Sequence, residues 1–149
     1  MKSRTIAIVI PYTDKQKILL QKRTSIKKWG EEWSFWGGSI EEGETKEDAA
    51  RRELKEELDM DIKELHYLGK ITQTLKKCKP PYEEWEITYE IFVTKIIEDK
   101  FQFNVKEGDG LDFFEIEEAR KLVMAPKIDK KALDIVQKFL NESLGHALL

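Results

Sequence analysis

Hydrophobic positions along this chain switch between two periods. Thr5 to Pro11 (TIAIVIP) is a continuous apolar, β-branched run, the pattern of a strand buried on both faces. Tyr12 to Gln16 (YTDKQ) reads as a polar turn and Lys17 to Arg23 (KILLQKR) as a second strand, so the first two strands form a hairpin. Ser34 to Gly38 predicts a short strand. The period then changes: Ala50, Leu54 and Leu58 recur every four residues, which predicts an amphipathic helix. Thr45 is its N-cap, with Asp48 three residues on where a capping box usually has Glu or Gln. Ile62 to Leu75 is an extended segment interrupted at Gly69, and Pro80 and Pro81 mark a loop. Trp85 to Ile97 (WEITYEIFVTKII) has no Pro or Gly and is rich in β-branched and aromatic residues, which predicts a central strand. Leu111 to Ile116 is a short strand that hands over to a helix near Glu117. Ala132, Ile135, Val136, Phe139 and Leu140 place an amphipathic helix over Asp129 to Leu144, and the terminal GHALL is expected to fray.

Strands, helix, strands and helix in that order fit an α/β protein with a mixed sheet covered on both faces. A length of 149 residues suits a single domain. A net charge of −3 gives no basic field for nucleic acid, so a phosphorylated small molecule would need local cations. The one cysteine, Cys78, allows no internal disulfide and suits a reducing compartment; among Lys76, Lys77 and Lys79 it reads as a bystander in a loop. No apolar run reaches membrane-spanning length and the N-terminal stretch lacks a secretory pattern, so the expectation is a cytoplasmic protein without a membrane partner. His66 has no evident partner and belongs to a partly exposed strand face. Nothing in the pattern sets an oligomeric state.

The chemistry concentrates in Gly37 to Met60 (GGSIEEGETKEDAARRELKEELDM). Glu53, Glu56 and Glu57 are spaced by three and four and share one side of the predicted helix. In a chain that is 37% charged, such a cluster by itself reads as a solvated face. The glycines ahead of it alter that reading. Gly37-Gly38 permits close backbone approach or positive φ, and a hard divalent cation prefers carboxylate and carbonyl oxygens gathered from such a loop and helix.

This segment resembles the Nudix box of the Nudix hydrolases, G-x5-E-x7-R-E-U-x-E-E-x-G-U, where U is aliphatic. Gly38, Glu44, Arg52-Glu53, Leu54, Glu56-Glu57 and Met60 occupy the matching places. Two positions depart. Asp59 stands where the box has its late Gly, a site expected just past the helix end in the left-handed conformation that Asp tolerates. Trp36 stands where relatives often have Pro.

The resemblance implies a Nudix-type α/β/α sandwich with a mixed β-sheet over residues 1–149, and a MutT-like, metal-dependent hydrolase. It implies Mg²⁺ or Mn²⁺ held by the Gly37 carbonyl, Glu53, Glu56, Glu57 and Glu107, with Asp109 as the fallback in the KEGDG loop. Glu53 and Glu107 are rival general bases, Glu56 completes the catalytic acids, and Arg52 orients the glutamates. Glu44 braces the loop and Asp59 ends the helix, both structural roles. Arg23 and Gly38 are the expected substrate contacts. Trp29, Trp33, Phe35 and Trp36 near the glycines, and Tyr82 and Trp85 beyond, are candidates to stack on a base, although core packing is the commoner fate of such residues.

The implied substrate is a small nucleotide, a nucleoside diphosphate linked to another moiety, with a nucleoside triphosphate first. Some branches of the family are marked by Pro or Tyr at the positions held here by Leu75, Lys76 and Lys77, which disfavours the ADP-ribose and dinucleoside-polyphosphate specialists. An ADP-ribose or other nucleotide-sugar pyrophosphatase, a non-catalytic Nudix-like nucleotide-binding module and an RNA-processing enzyme are the alternatives. Retention of every box acid weighs against the binding module.

Overall fold

A computed structural model describes residues 2–22, 33–77, 79–97, 110–122, 124–125 and 128–147; Cys78 lies outside this set. Its elements are β1 (Lys2–Tyr12), β2 (Lys17–Lys22), β3 (Trp33–Ser34), β4 (Trp36–Ser39), α1 (Lys46–Leu58), β5 (His66–Lys76), β6 (Glu84–Lys95), β7 (Gly110–Glu115), α2 (Ile116–Ala119), β8 (Met124–Ala125) and α3 (Asp129–Ala147).

The apolar run in β1 is continuous because both faces of that strand are covered. Ile8 and Ile10 point into one core with Ile18 and Leu20 of β2, Ile91 and Val93 of β6 and Ala132, Leu133, Val136 and Leu140 of α3. Ala7 and Val9 point the other way, into a second core with Leu19, Phe92 and Ala49, Ala50 and Leu54 of α1. The period of two in the strands thus divides the apolar residues between two helical layers. The sheet is mixed: β1 pairs with β6 in parallel from Lys2↔Trp85 to Tyr12↔Lys95, while β5 pairs antiparallel with β6. The strand order is β5-β6-β1-β2-β3-β8, with β4 on β1 and β7 on β2. The α/β/α sandwich expected from the resemblance is present, and β6 lies inside the sheet as its composition predicts.

Several local expectations shift. The hairpin forms, but β1 and β2 pair only at Tyr12↔Ile18 and then part. The single strand expected over Ser34 to Gly38 fills that gap as two pieces: β3 pairs with β2, and β4 pairs with β1 after a break at Phe35. Side chains close the seam, with Trp36 Nε1 donating to the Leu19 carbonyl at 3.0 Å and Gln21 Nε2 to the Phe35 carbonyl at 3.1 Å. Gly69 (φ 142°) does not end its strand; it sits at a bulge in the β5–β6 register. The two-residue β8 has no sequence signal of its own and exists through parallel pairing with β3. The helix expected near Glu117 starts at Ile116, where Glu118 Oε1 accepts from the Glu115 N–H at 3.1 Å. The terminal segment expected to fray stays helical through Ala147. His66 is exposed on β5, 3.8 Å from Glu64 and with its ring 5.8 Å from that of Phe139.

At the end of α1, Asp59 adopts φ 51°, ψ 40°, and its N–H donates to the Lys55 carbonyl at 2.9 Å. A Cβ in this region is strained, whereas its ion pair with Lys55 is exposed and contributes little. Asp59→Gly is therefore expected to raise unfolding stability by about 0.5 kcal/mol, and Asp59→Ala to lower it by about 1 kcal/mol. Urea unfolding of the three proteins measures both shifts.

Candidate active site

The two glycines of the turn into the box serve different ends: backbone contacts require the first, and the second leaves room for a carboxylate. Gly37 has φ 149°, and a side chain there would run into the Ala7 carbonyl of β1. At Gly38 the space a Cβ would fill is taken by the Glu53 carboxylate. The glycine pair thus lets a helix glutamate lie directly on the backbone of β4. From Ser39 the chain turns through Gly43 (φ 79°), where the Glu44 N–H donates to the Glu41 carbonyl at 3.0 Å. Thr45 then caps α1, its Oγ1 accepting from the Asp48 N–H at 3.1 Å.

Arg52 ties loop and helix together. Its Nε and Nη2 reach the two oxygens of Glu44 at 2.7 and 2.9 Å, a forked contact. Nη2 also donates to the Ser39 carbonyl at 3.1 Å, and Nη1 donates to Glu53 Oε1 at 2.8 Å. The Glu56 carboxylate is 3.5 Å away and stands largely in solvent. Glu44 is 14% exposed and Glu53 13%, so both charges are held where water is scarce and the guanidinium replaces it. The Arg52 fork, followed by the Glu41 N–H that donates to Glu44 Oε1 at 3.1 Å, lowers the Glu44 carboxyl to about 2. The same carboxylates push the Arg52 guanidinium up. Glu57, on the same side of α1 as Glu53, is half-buried. Arg4 Nε donates to Ser39 Oγ at 2.6 Å, placing beside the turn a cation that the sequence pattern did not single out.

The structure therefore brings Gly37, Gly38, Glu44, Arg52, Glu53 and Glu56 into one constellation, with Glu57 on the same helix. Arg23, Glu107, Asp109 and Trp29 lie outside the described residues. Carboxylate and carbonyl oxygens of this kind suit a hard divalent cation. Among the described residues no three acidic, His or Cys side chains form a ready-made cage, and one oxygen of Glu53 is already engaged by Arg52. The donors fit in kind without being closed around a point.

The aromatic residues near the glycines are mostly occupied in packing. Phe35 and Trp36 are buried, and Trp33 meets Phe114 edge to face at 4.8 Å. A cleft of about 520 Å³ opens elsewhere, between β5 and the start of α3, lined by Ile71, Gln73, Met124, Ile128 and Asp129 among others. No motif joins positions 71–73 to 122–131 along the chain, so this cleft was not legible from sequence. Among the described residues, no helix is long and apolar enough to cross a membrane.

Comparison with known proteins bears on the fold and the family. Over 40 residues the chain is 48% identical to the Mus musculus oxidized purine nucleoside triphosphate hydrolase, a match covering 27% of this chain and 26% of that protein. The chain thus aligns with about a quarter of that relative's length. Among solved structures, the E. coli dihydroneopterin triphosphate pyrophosphohydrolase superposes with a TM-score of 0.68 at 19% identity, covering 90% of this chain and 96% of that one. A mutT/nudix family protein from Listeria innocua gives a TM-score of 0.68 at 22% identity, covering 99% and 98%. At these identities the structural likeness speaks to the fold. The model of the NUDIX domain matches residues 1–139, nearly the whole chain, and with the box geometry already described it establishes that the chain belongs to the NUDIX family, the Nudix hydrolases.

Proposed function

We propose that this chain, acting as a single Nudix domain, is a Mg²⁺- or Mn²⁺-dependent hydrolase of the diphosphate linkage in a nucleoside diphosphate joined to another moiety, and that its substrate is a nucleoside triphosphate. The observation that carries the proposal is the Glu53 carboxylate lying on Gly38 while Arg52 holds it and Glu44 together. A surface helix with incidental glutamates has no need of a glycine beneath one of them or of a forked arginine behind it. The local match to a purine nucleoside triphosphate hydrolase falls in with this reading.

Phosphoanhydrides resist water because their oxygens are negative and the departing phosphate gains charge. A bound divalent cation supplies the positive charge that offsets both. The chain's part is to present oxygens for that ion: Glu53, Glu56 and Glu57 with the Gly37 carbonyl, joined in the proposal by Glu107. Arg52 fixes the Glu53 side chain by one guanidinium nitrogen, leaving the second carboxylate oxygen available. Glu44 in turn keeps the guanidinium from swinging out to solvent. A carboxylate must also accept the proton of the attacking water, and Glu53 and Glu107 are the two candidates. Arg23 is proposed to meet the phosphates. The cleft is proposed to take the base, its floor being apolar through Ile71, Met124 and Ile128. At its edge Gln73 uses its amide oxygen to accept from the Tyr89 hydroxyl at 3.4 Å, which leaves the amide N–H groups for a ligand.

Turnover of a nucleotide panel with Mg²⁺ tests the function, and nucleoside triphosphates are expected to be cleaved fastest. Glu53→Gln and Glu57→Gln are each expected to lower metal-dependent kcat by about 100-fold or more; near-wild-type rates in both would sink the ligand assignment. Tight nucleotide binding by the wild-type protein with no turnover on any member would point to a binding module.

The Glu44 brace carries its own pH signature. Its carboxyl lies at about 2 in the fold against an ordinary 4.5, so its contribution is complete above about pH 4.5 and is lost as the pH falls towards 2. Glu44→Gln has no such contribution at any pH. The gap in melting temperature between wild type and Glu44→Gln is expected to shrink steadily as the pH is lowered through that window, and a gap that stays constant would contradict the charged contact.

A further inference from the structure

The first turn of α1 carries a lysine where the helix dipole disfavours a cation. Lys46 is held there by partners outside the helix. Its Nζ lies 3.7 Å from the centre of the Tyr67 ring on β5 and 3.7 Å from Glu90 Oε2 on β6. The Tyr67 ring and the Glu90 carboxylate thus meet at the same ammonium group, so side chains from three elements come together. Although Tyr67 is 42% exposed overall, partial desolvation of its hydroxyl, followed by the Glu90 carboxylate, pushes that group up to about 12. The Glu90 side chain is 12% exposed, well inside the layer between α1 and the sheet.

The place of this cluster matters more than its strength. In the sheet register, Glu90 and Gly38 flank Ala7 on opposite sides, and Ala7 belongs to the core beneath α1. The cluster and the Glu53 contact therefore sit on one transverse row of the sheet. On the helix, Lys46, Glu53 and Glu57 are seven and eleven residues apart, which at about 100° per residue brings them within about 20° of one line along the rod. Between the two ends of that line, contact with the sheet is made by Ala49, Ala50 and Leu54, all fully buried. The two alanine methyl groups set how close the helix lies but resist sliding and rotation poorly, which leaves that task to Leu54 and to the polar ties at the helix ends. Arg52 ties α1 to the loop before it, and Arg51 ties it to the segment after it through the Ile62 carbonyl at 2.6 Å. Lys46 ties it to β5 and β6.

We propose that Lys46 is a positioning residue for the box carboxylates: its contact with Tyr67 and Glu90 sets the rotation and axial position of α1, and so the placement of Glu53 and Glu57 against the Gly37–Gly38 turn. The proposal rests on the hydrolase reading above. A shift of the helix leaves groups that bind the base where they are and moves the groups that act on the phosphates. Lys46 variants therefore change kcat and leave KM nearly alone.

The test compares Lys46→Met, which keeps the aliphatic stem, with Lys46→Arg, which keeps the charge and the stacking. Lys46→Met is expected to lower kcat about tenfold with KM within about twofold, and Lys46→Arg to recover most of the loss. Glu90→Gln, which preserves shape, should fall in the same direction and keeps the test available if Lys46→Met does not fold. Mn²⁺ titration of the same proteins without substrate reads the carboxylates directly, with weaker binding expected in Lys46→Met and near-wild-type binding in Lys46→Arg. If the wild type hydrolyses nothing, the hydrolase reading fails while the Mn²⁺ titration still decides on positioning. Wild-type kcat and Mn²⁺ affinity in Lys46→Met, or equal losses in Lys46→Met and Lys46→Arg, would overturn the proposal.

Discussion

The forked contact between Arg52 and Glu44 is the constraint on which the site depends. A guanidinium presents its donors in a rigid plane, so satisfying both oxygens of Glu44 leaves the remaining nitrogen with little freedom of direction. That nitrogen is the one on Glu53, and Glu53 in turn lies on the bare backbone of Gly38. One residue thereby couples the turn after β4, the loop leading into α1 and the acid that lies on Gly38. The contact is partly screened from water, with Arg52 itself 25% exposed, so it is firmer than an isolated surface ion pair.

This arrangement needs a platform that does not move. β1 provides it, because both of its faces are buried and both of its edges are paired. Its parting from β2 after the hairpin creates the opening that β4 enters, and Trp36 seals the far side of that opening through the Leu19 carbonyl. The residue that departs from the usual Pro of the box thus has a definite role here: it fills core volume and satisfies a backbone acceptor left by the split. α1 then rests on this platform through two alanines and Leu54, close enough for the Glu53 carboxylate to lie on the strand backbone at Gly38.

The glycines, the box acids and the arginine were legible from the chain because they are local. Their spacing sets which side of a helix each occupies, and the helix period is the same in any protein. The same locality explains why Asp59 could be placed beyond the helix end, where the structure has it in the left-handed conformation. The division of β1 and β6 into two cores also follows from alternation alone.

What only the tertiary structure decided is everything that depends on which strand lies beside which. The break at Phe35, the existence of β8, the Lys46 contact with Tyr67 and Glu90, and the cleft between β5 and α3 all join residues distant along the chain. Periodicity assigns a residue to a face but carries no information about its neighbour across the sheet. By itself, the sequence determined which groups α1 would present and how the chain would turn into it. The packing determined that one of those groups lies on a glycine, that another is anchored to the opposite strands, and that a cleft opens beside a helix which shares no motif with the box.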